Sequence, residues 1–295
     1  MKHWTHKRER GSAWLIHVVV WLARRVGRSL CRALLYPIVL YFFFTDSVAR
    51  RSSAEFLQAV HGRTVRWHEV FAHIYSFAAT LLDRVYMAAG DFEKFEVTIE
   101  GLPLVDRALH AGRGCVLLGS HLGSFDLLML ARRAMGERPV SVMMRIDPHS
   151  RVRRIAGIDD GEVSLISLGR PDSYLRAHEA LSLGGVVALL ADRVDSAANL
   201  PVQFMGRTAA MPTAPHILAA RSEAPILMFF GIYESANRYR IEFVECGSAA
   251  ARTSRGAALQ PVVDSYAAVL ETYARRYPFN WFNFYPYWAV EKDGT

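Results

Sequence analysis

The sequence predicts an α/β fold with a mixed, mostly parallel sheet flanked by helices, preceded by a membrane-associated helical region. Three observations carry this prediction. From about residue 95 onward, short apolar or alternating runs of strand length take turns with segments of helical periodicity. The run Cys115 to Gly119 is apolar throughout, as expected of a strand covered on both faces. Residues 1–45 hold two apolar stretches and a row of arginines, without strand alternation.

The N-terminal region comes first in the chain. Lys2, Lys7, Arg8 and Arg10 precede an apolar run from Ala13 to Ala23, broken only by His17. Arg24, Arg25, Arg28 and Arg32 then share one helical face, opposite Val26, Leu30, Ala33 and Leu34. A second apolar run, Leu34 to Phe44, contains Pro37 and ends in three phenylalanines. Each run is shorter than the roughly 20 apolar residues of a spanning helix. A basic stripe between them is costly inside lipid and favourable at anionic headgroups. Residues 1–45 are therefore expected to anchor the chain at a membrane interface, with a buried helical hairpin as the alternative. A signal peptide fits less well, because Arg24 and Arg25 follow the first run where a cleavage site needs small residues.

Residues 46–295 are expected to form one α/β unit that includes further N-terminal helices. Asp46 and Ser47 can cap a helix, and apolar residues from Phe56 to Leu82 recur at helical spacing. His61, His68 and His73 invite a metal reading, but no carboxylate spacing supports it, so they are expected to be solvated or capping. Strands are expected at Phe95 to Glu100, Val140 to Met144, Val163 to Ser167, Val186 to Ala191, Ile226 to Tyr233 and Tyr239 to Cys246. Helices are expected at Leu104 to Ala111, Tyr174 to Leu183, Ile217 to Arg221 and Gln260 to Tyr277. The turn-rich stretch Phe204 to Pro215 is expected to be a loop over the cleft, with Gly206 allowing close backbone approach.

The chemistry is expected where Cys115 to Gly119 gives way to Ser120, His121, Leu122, Gly123, Ser124, Phe125 and Asp126. His121 lies on the turn at the strand's carboxyl end, the side on which open α/β sheets bind ligands. A carboxylate beside an imidazole fixes its tautomer and leaves the other nitrogen free to act as a base. Asp126, early in the next helix, is the candidate for that role. A histidine with an aspartate five residues on is a weak signal alone, and a structural pair is the competing reading.

These residues resemble the H-x-x-x-x-D motif of the lysophospholipid-acyltransferase-like superfamily. The chain is more specifically similar to the bacterial late acyltransferases of lipid A biosynthesis. That similarity extends from about Trp14 to Trp288. It includes Met144 to Pro148, the block Gly184 to Arg193, and Phe204 to Ala209 leading into Pro212 to Pro215. Two departures stand out: the lipid A enzymes often carry glutamate where this chain has Asp126, and the E-G-T-R block of the glycerolipid branch is absent. The resemblance implies acyl transfer from an acyl carrier protein or coenzyme A thioester to a hydroxyl or amine of a lipid or glycolipid. It also implies residence at the cytoplasmic face of a bacterial inner membrane. The thioester serves as co-substrate, and neither a cofactor nor a metal is expected.

Arg145 and Arg193 follow strands at the level of His121, where a guanidinium can hold a phosphate bidentately. Capping of each strand end is the competing reading. Asp192 is expected in a positioning or substrate-binding role, and Gly206 and Arg207 as further substrate-binding positions. Trp281 to Trp288 is strongly aromatic, suiting either an interface or acyl groove, or packing against the N-terminal helices.

The net charge of +7 points to an anionic partner. No nucleic-acid motif accompanies it, so anionic membrane lipid is the better match than nucleic acid. Hydrophobic residues make up 52%, and the mean hydropathy of +0.11 agrees with a lipid-directed protein. Cys31, Cys115 and Cys246 form no paired spacing, which fits a reducing compartment. Two other functional classes remain open on these residues: a thioester or lipid-ester hydrolase using the same histidine, and a non-catalytic lipid-binding protein.

Overall fold

The computed structural model describes residues 25, 27–110, 112–136, 138–145, 163–194, 198–246 and 256–288. The first apolar run and Arg24 lie outside them. Three helices lead the chain: α1 (Arg28–Thr45), α2 (Ser47–His61) and α3 (Trp67–Ala88). The Asp46 carboxylate caps α2 by accepting the Ala49 N–H at 3.0 Å. Gly62, at φ 65°, ends α2 in the left-handed conformation. Helicity from residue 46 to 90 is therefore interrupted once.

The alternating part follows as β1 (Glu96–Glu100), α4 (Leu102–His110), β2 (Cys115–Gly119), α5 (Leu128–Ala134), β3 (Val140–Met144), β4 (Ser164–Ser167), α6 (Ser173–Ser182) and β5 (Val186–Leu190). It continues with β6 (Asn199–Phe204), β7 (Arg207–Pro212), α7 (Ala214–Arg221), β8 (Ile226–Ser235), β9 (Arg238–Glu245) and α8 (Gln260–Arg276). Seven strands form one sheet in the order β1-β9-β8-β2-β5-β3-β4. Every neighbouring pair is parallel except β8 and β9, which form an antiparallel hairpin. The fold is thus α/β with a mostly parallel sheet flanked by helices.

Strand β2 is central, and its side chains alternate between two cores. Val116 and Leu118 face the side covered by α6, α7 and α8. Cys115 and Leu117 face the side covered by α4 and α5. Burial on both faces is why this strand reads as an unbroken apolar run.

The stretch Phe204 to Pro215 departs from expectation. It belongs to an antiparallel hairpin, β6 against β7, followed by α7. Met205 and Gly206 form its two-residue turn with φ of 56° and 75°, the pair of positive values that a tight hairpin turn needs. A side chain at Gly206 would meet nothing within 4 Å, so this glycine serves the turn rather than a close approach.

Helix α1 corrects a second expectation. Arg28 and Arg32 turn inward rather than toward headgroups. Arg28 grips the fully buried Asp83 of α3 with two hydrogen bonds of 2.7 Å, and Arg32 reaches the same carboxylate at 3.3 Å. The Tyr239 hydroxyl donates to Asp83 at 2.8 Å. A buried carboxylate is tolerated only with such partners. The opposite face of α1 is exposed and apolar, carrying Leu30, Leu34, Leu40, Tyr41 and Phe44. Among the described residues, α1 is the one helix long and apolar enough to cross a bilayer.

His73 is a third correction, because it lies in the core and is neither solvated nor capping. Its Nδ1 accepts from the Ser53 hydroxyl at 2.8 Å and its Nε2 donates to the Trp281 carbonyl at 3.0 Å. Burial pushes its pKa down from 6.5 to about 4, and burial does the same to His216, also to about 4. Between those values the unfolded chain binds protons that the folded chain refuses. Stability present above pH 6.5 is therefore lost as the pH falls toward 4, by on the order of 3 kcal/mol per imidazole. The melting temperature should be clearly lower at about pH 5 than at about pH 7.5. A His73→Gln/His216→Gln variant should show a shallower pH dependence; an unchanged slope would contradict this origin.

Candidate active site

His121 lies two residues beyond the end of β2, and Asp192 lies two residues beyond the end of β5. The two strands are parallel neighbours with Gly119 opposite Leu190, and the Ala191 N–H extends the ladder to the Gly119 carbonyl at 3.0 Å. This register alone brings His121 and Asp192 side by side. Asp192 Oδ1 lies 2.8 Å from His121 Nδ1, and Oδ2 accepts the His121 backbone N–H at 3.0 Å. Trp281 Nε1 and Asn283 Nδ2 donate to the same Oδ2 at 3.2 and 2.9 Å. Asp192 has no exposed surface, whereas the His121 side chain is 27% exposed.

Burial by itself would raise the Asp192 pKa. The facing His121, its hydrogen bonds and Arg193 outweigh burial and hold the carboxyl well below the usual carboxylate range. A permanently ionised Asp192 keeps the proton on Nδ1 and leaves Nε2 as the basic nitrogen. Nε2 has no hydrogen-bond partner among the described residues.

Asp126 does not take the orienting position that its spacing suggested. Its carboxylate is held by Arg84 of α3, with Nε to Oδ2 at 2.7 Å and Nη2 to Oδ1 at 2.9 Å, and by the Ser124 hydroxyl at 3.1 Å. It ties the motif turn to α3, in a short 3₁₀ turn, Phe125–Leu127, ahead of α5. The pair is partly solvated, so it stabilises by about 1 kcal/mol or less. Asp126→Asn should therefore lower acyl transfer by no more than about tenfold, with a melting temperature close to wild type. Initial rates at saturating donor check this.

The motif turn lies directly on β8. Gly123 has φ 76°, and a side chain there would come within 2.0 Å of the Gly231 carbonyl oxygen. Gly231 is equally restricted from the other side, where an added carbon would approach the Ser124 carbonyl oxygen to 2.2 Å. Two glycines facing each other thus let the turn dock. The backbone amides here are occupied: Leu122 donates to Ser120 Oγ, Gly123 to the Asn280 carbonyl and Ser124 to the Gly231 carbonyl. With the His121 amide on Asp192, none of these four is available to a developing oxyanion.

The remaining predicted residues divide. Arg145 follows β3 directly and is exposed, third in the row of strand ends β2, β5, β3; the rest of its block, Ile146 to Pro148, lies outside the described residues. Arg193 is turned to the C-terminal segment, with Nε donating to Asn283 Oδ1 at 2.6 Å and Nη2 to the Phe282 carbonyl at 3.0 Å. It braces the segment that supplies Asn283 to Asp192. Arg207 pairs with Glu55 of α2 at 2.6 Å and stacks over Trp288 at 4.6 Å. Gly206 and Arg207 therefore belong to the hairpin and its packing.

The aromatic C-terminal segment packs against the N-terminal helices and the hairpin. Trp281 is fully buried against Phe56 and Phe204, with ring centroids at 4.7 and 5.2 Å. Phe77 meets Phe282 at 5.3 Å. Arg84, Trp281 and Asn283 are the site residues that sequence reasoning did not single out for their contacts. Only the aromatic density of the last segment pointed toward two of them.

The family model for bacterial lipid A biosynthesis acyltransferase matches residues 1–289. The phosphatidylinositol mannoside acyltransferase of Mycobacterium tuberculosis (strain H37Rv) is 30% identical over 132 residues, covering 44% of this chain and 42% of that protein. The protein of the same name from Mycolicibacterium smegmatis is 25% identical over 187 residues, 62% of this chain and 60% of its own length. The chain thus spans less than two thirds of the length of these relatives. The family match runs through the strand end that carries His121 and the one that carries Asp192, and the chain belongs to the bacterial lipid A biosynthesis acyltransferase family.

Proposed function

We propose that this protein transfers a fatty acyl group from an acyl carrier protein or coenzyme A thioester to a hydroxyl or amine of a membrane lipid or glycolipid. The observation that carries the proposal is the His121–Asp192 pair, an imidazole fixed through Nδ1 by a buried, ionised carboxylate, with Nε2 free. His121 Nε2 takes the proton from the acceptor as its oxygen or nitrogen attacks the thioester carbonyl. The tetrahedral adduct collapses with cleavage of the C–S bond, and the proton on Nε2 passes to the leaving thiolate. No acyl-enzyme is needed. The amides of residues 121–124 are occupied, and Arg145, at the end of β3 in the same row of strand ends, suits the role of meeting the oxyanion. The name carried by the mycobacterial relatives supports a glycolipid acceptor. The exposed apolar face of α1 and the charge of +7 support work at an anionic membrane, with α1 lying at its surface.

The test is the full-length protein in mixed micelles, supplied with acyl thioester and total bacterial lipid extract. Acyl-bearing lipid products that require both donor and lipid are expected. Free fatty acid released at the same rate without lipid would mean hydrolysis instead. Release of neither would remove the reaction altogether.

A further inference from the structure

A second cleft opens at the same end of the sheet as His121, on the other side of the motif turn. It has a volume of about 700 Å³ and lies between α1, α3, the β8–β9 turn and the end of α8. Asn280 separates it from the turn. The Asn280 carbonyl accepts the Gly123 N–H, and its side chain pairs with both backbone groups of Tyr233, at 2.9 and 3.0 Å.

One wall of this cleft is aromatic, formed by Tyr36, Phe71 and Tyr75; Tyr36 packs on Tyr75 with centroids 4.7 Å apart. Tyr36 is itself 56% exposed and is continuous with the bare apolar face of α1. The opposite wall carries Arg238 and Arg276. Arg238 donates to the Ser235 hydroxyl at 3.0 Å. The Arg276 side chain is 57% exposed and makes a long ion pair with the buried Glu242 carboxylate at 3.8 Å. The one carboxylate in the lining, Glu234, is already paired with Arg240 at 2.7 Å. The cleft therefore carries Arg238, held by the Ser235 hydroxyl, and Arg276, whose long ion pair with Glu242 leaves more than half of its side chain exposed, facing a wall of phenol and phenyl rings.

That combination matches an amphiphile with an anionic head. Guanidinium groups recognise phosphate oxygens, and rings with one polar tip suit the boundary between head and chain. We infer that this cleft binds a single anionic phospholipid, its phosphate at Arg238 and Arg276 and its acyl part along Tyr36, Phe71 and Tyr75 toward the open face of α1. The site lies beside His121 and is distinct from it, since no residue of the His121–Asp192 pair lines the cleft. The inference rests on the proposed reaction only for the lipid's use as a substrate; its binding stands apart from the chemistry.

The experiment is native mass spectrometry of the full-length protein in a non-ionic detergent, titrated with dioctanoyl phosphatidylglycerol or dioctanoyl phosphatidylcholine. One retained phosphatidylglycerol per chain is expected, with little phosphatidylcholine. Arg238→Glu/Arg276→Glu should weaken retention by about 10- to 100-fold, as the loss of charge-assisted hydrogen bonds implies. The milder Arg238→Gln/Arg276→Gln pair should follow in the same direction if the double reversal does not fold. Unchanged retention in the glutamine pair would overturn the site. So would an equal loss in Arg107→Glu/Arg113→Glu, which changes the same charge on exposed arginines outside the cleft. Displacement of the lipid by inorganic phosphate alone would reduce the site to an anion site and also overturn it. His121→Gln should keep full lipid retention while losing acyl transfer, so failure of the reaction and failure of the cleft are read separately.

Discussion

His121→Gln is expected to lower acyl transfer by about 10²–10⁴-fold, the usual contribution of a positioned general base. The side chain is partly exposed and its backbone N–H can still reach Asp192, so the variant should fold with a melting temperature near wild type. Glutamine can hydrogen-bond to the Asp192 carboxylate but cannot accept and return a proton. Transfer at close to the wild-type rate in a folded variant would remove His121 from the chemistry.

Asp192→Asn is expected to cost about as much or more, for a different reason. Asn can donate to His121 Nδ1, which then carries no proton, and the proton is forced onto Nε2, the nitrogen that must accept one. In serine proteases the same change leaves the geometry intact and lowers turnover by roughly 10⁴. Two donors besides His121, Trp281 Nε1 and Asn283 Nδ2, also converge on this carboxylate. Asp192→Ala would leave them facing an empty, buried position, at about 1–3 kcal/mol per unsatisfied group. Asp192→Asn is therefore the informative variant, and a reduced rate must be read together with an intact melting curve.

The strand end that carries His121 was legible because a strand covered on both faces has to be an apolar run, and the glycines after it mark the turn. The partner of His121 was not. Spacing along the chain favoured Asp126, five residues on, while Asp192 comes 71 residues later and is close only because β5 is the hydrogen-bonded neighbour of β2. Sheet order is a property of long-range packing, and hydrophobic periodicity carries no record of it. The same limit applies to α1. A row of arginines looks alike whether it meets lipid headgroups or a buried carboxylate, and Asp83 lies 55 residues beyond Arg28. The apolar character of α1 and its opposite face were visible; which face turned inward was not. In the hairpin at Met205 and Gly206, turn residues were recognised, but the flanking strands are short and mixed in character, so the stretch read as a loop. The C-terminal aromatics carried two readings, and the contacts of Trp281 with Phe56 and His73 decide for packing.

Asp192, not Asp126, is the carboxylate placed to hold His121 in its working tautomer. The initial rates of acyl transfer by Asp192→Asn and Asp126→Asn, side by side at saturating donor and matched folded concentration, distinguish the two carboxylates. A loss of about 10³-fold or more is expected for Asp192→Asn, and of no more than about tenfold for Asp126→Asn. The reverse order, with Asp192→Asn the more active of the two, would contradict it.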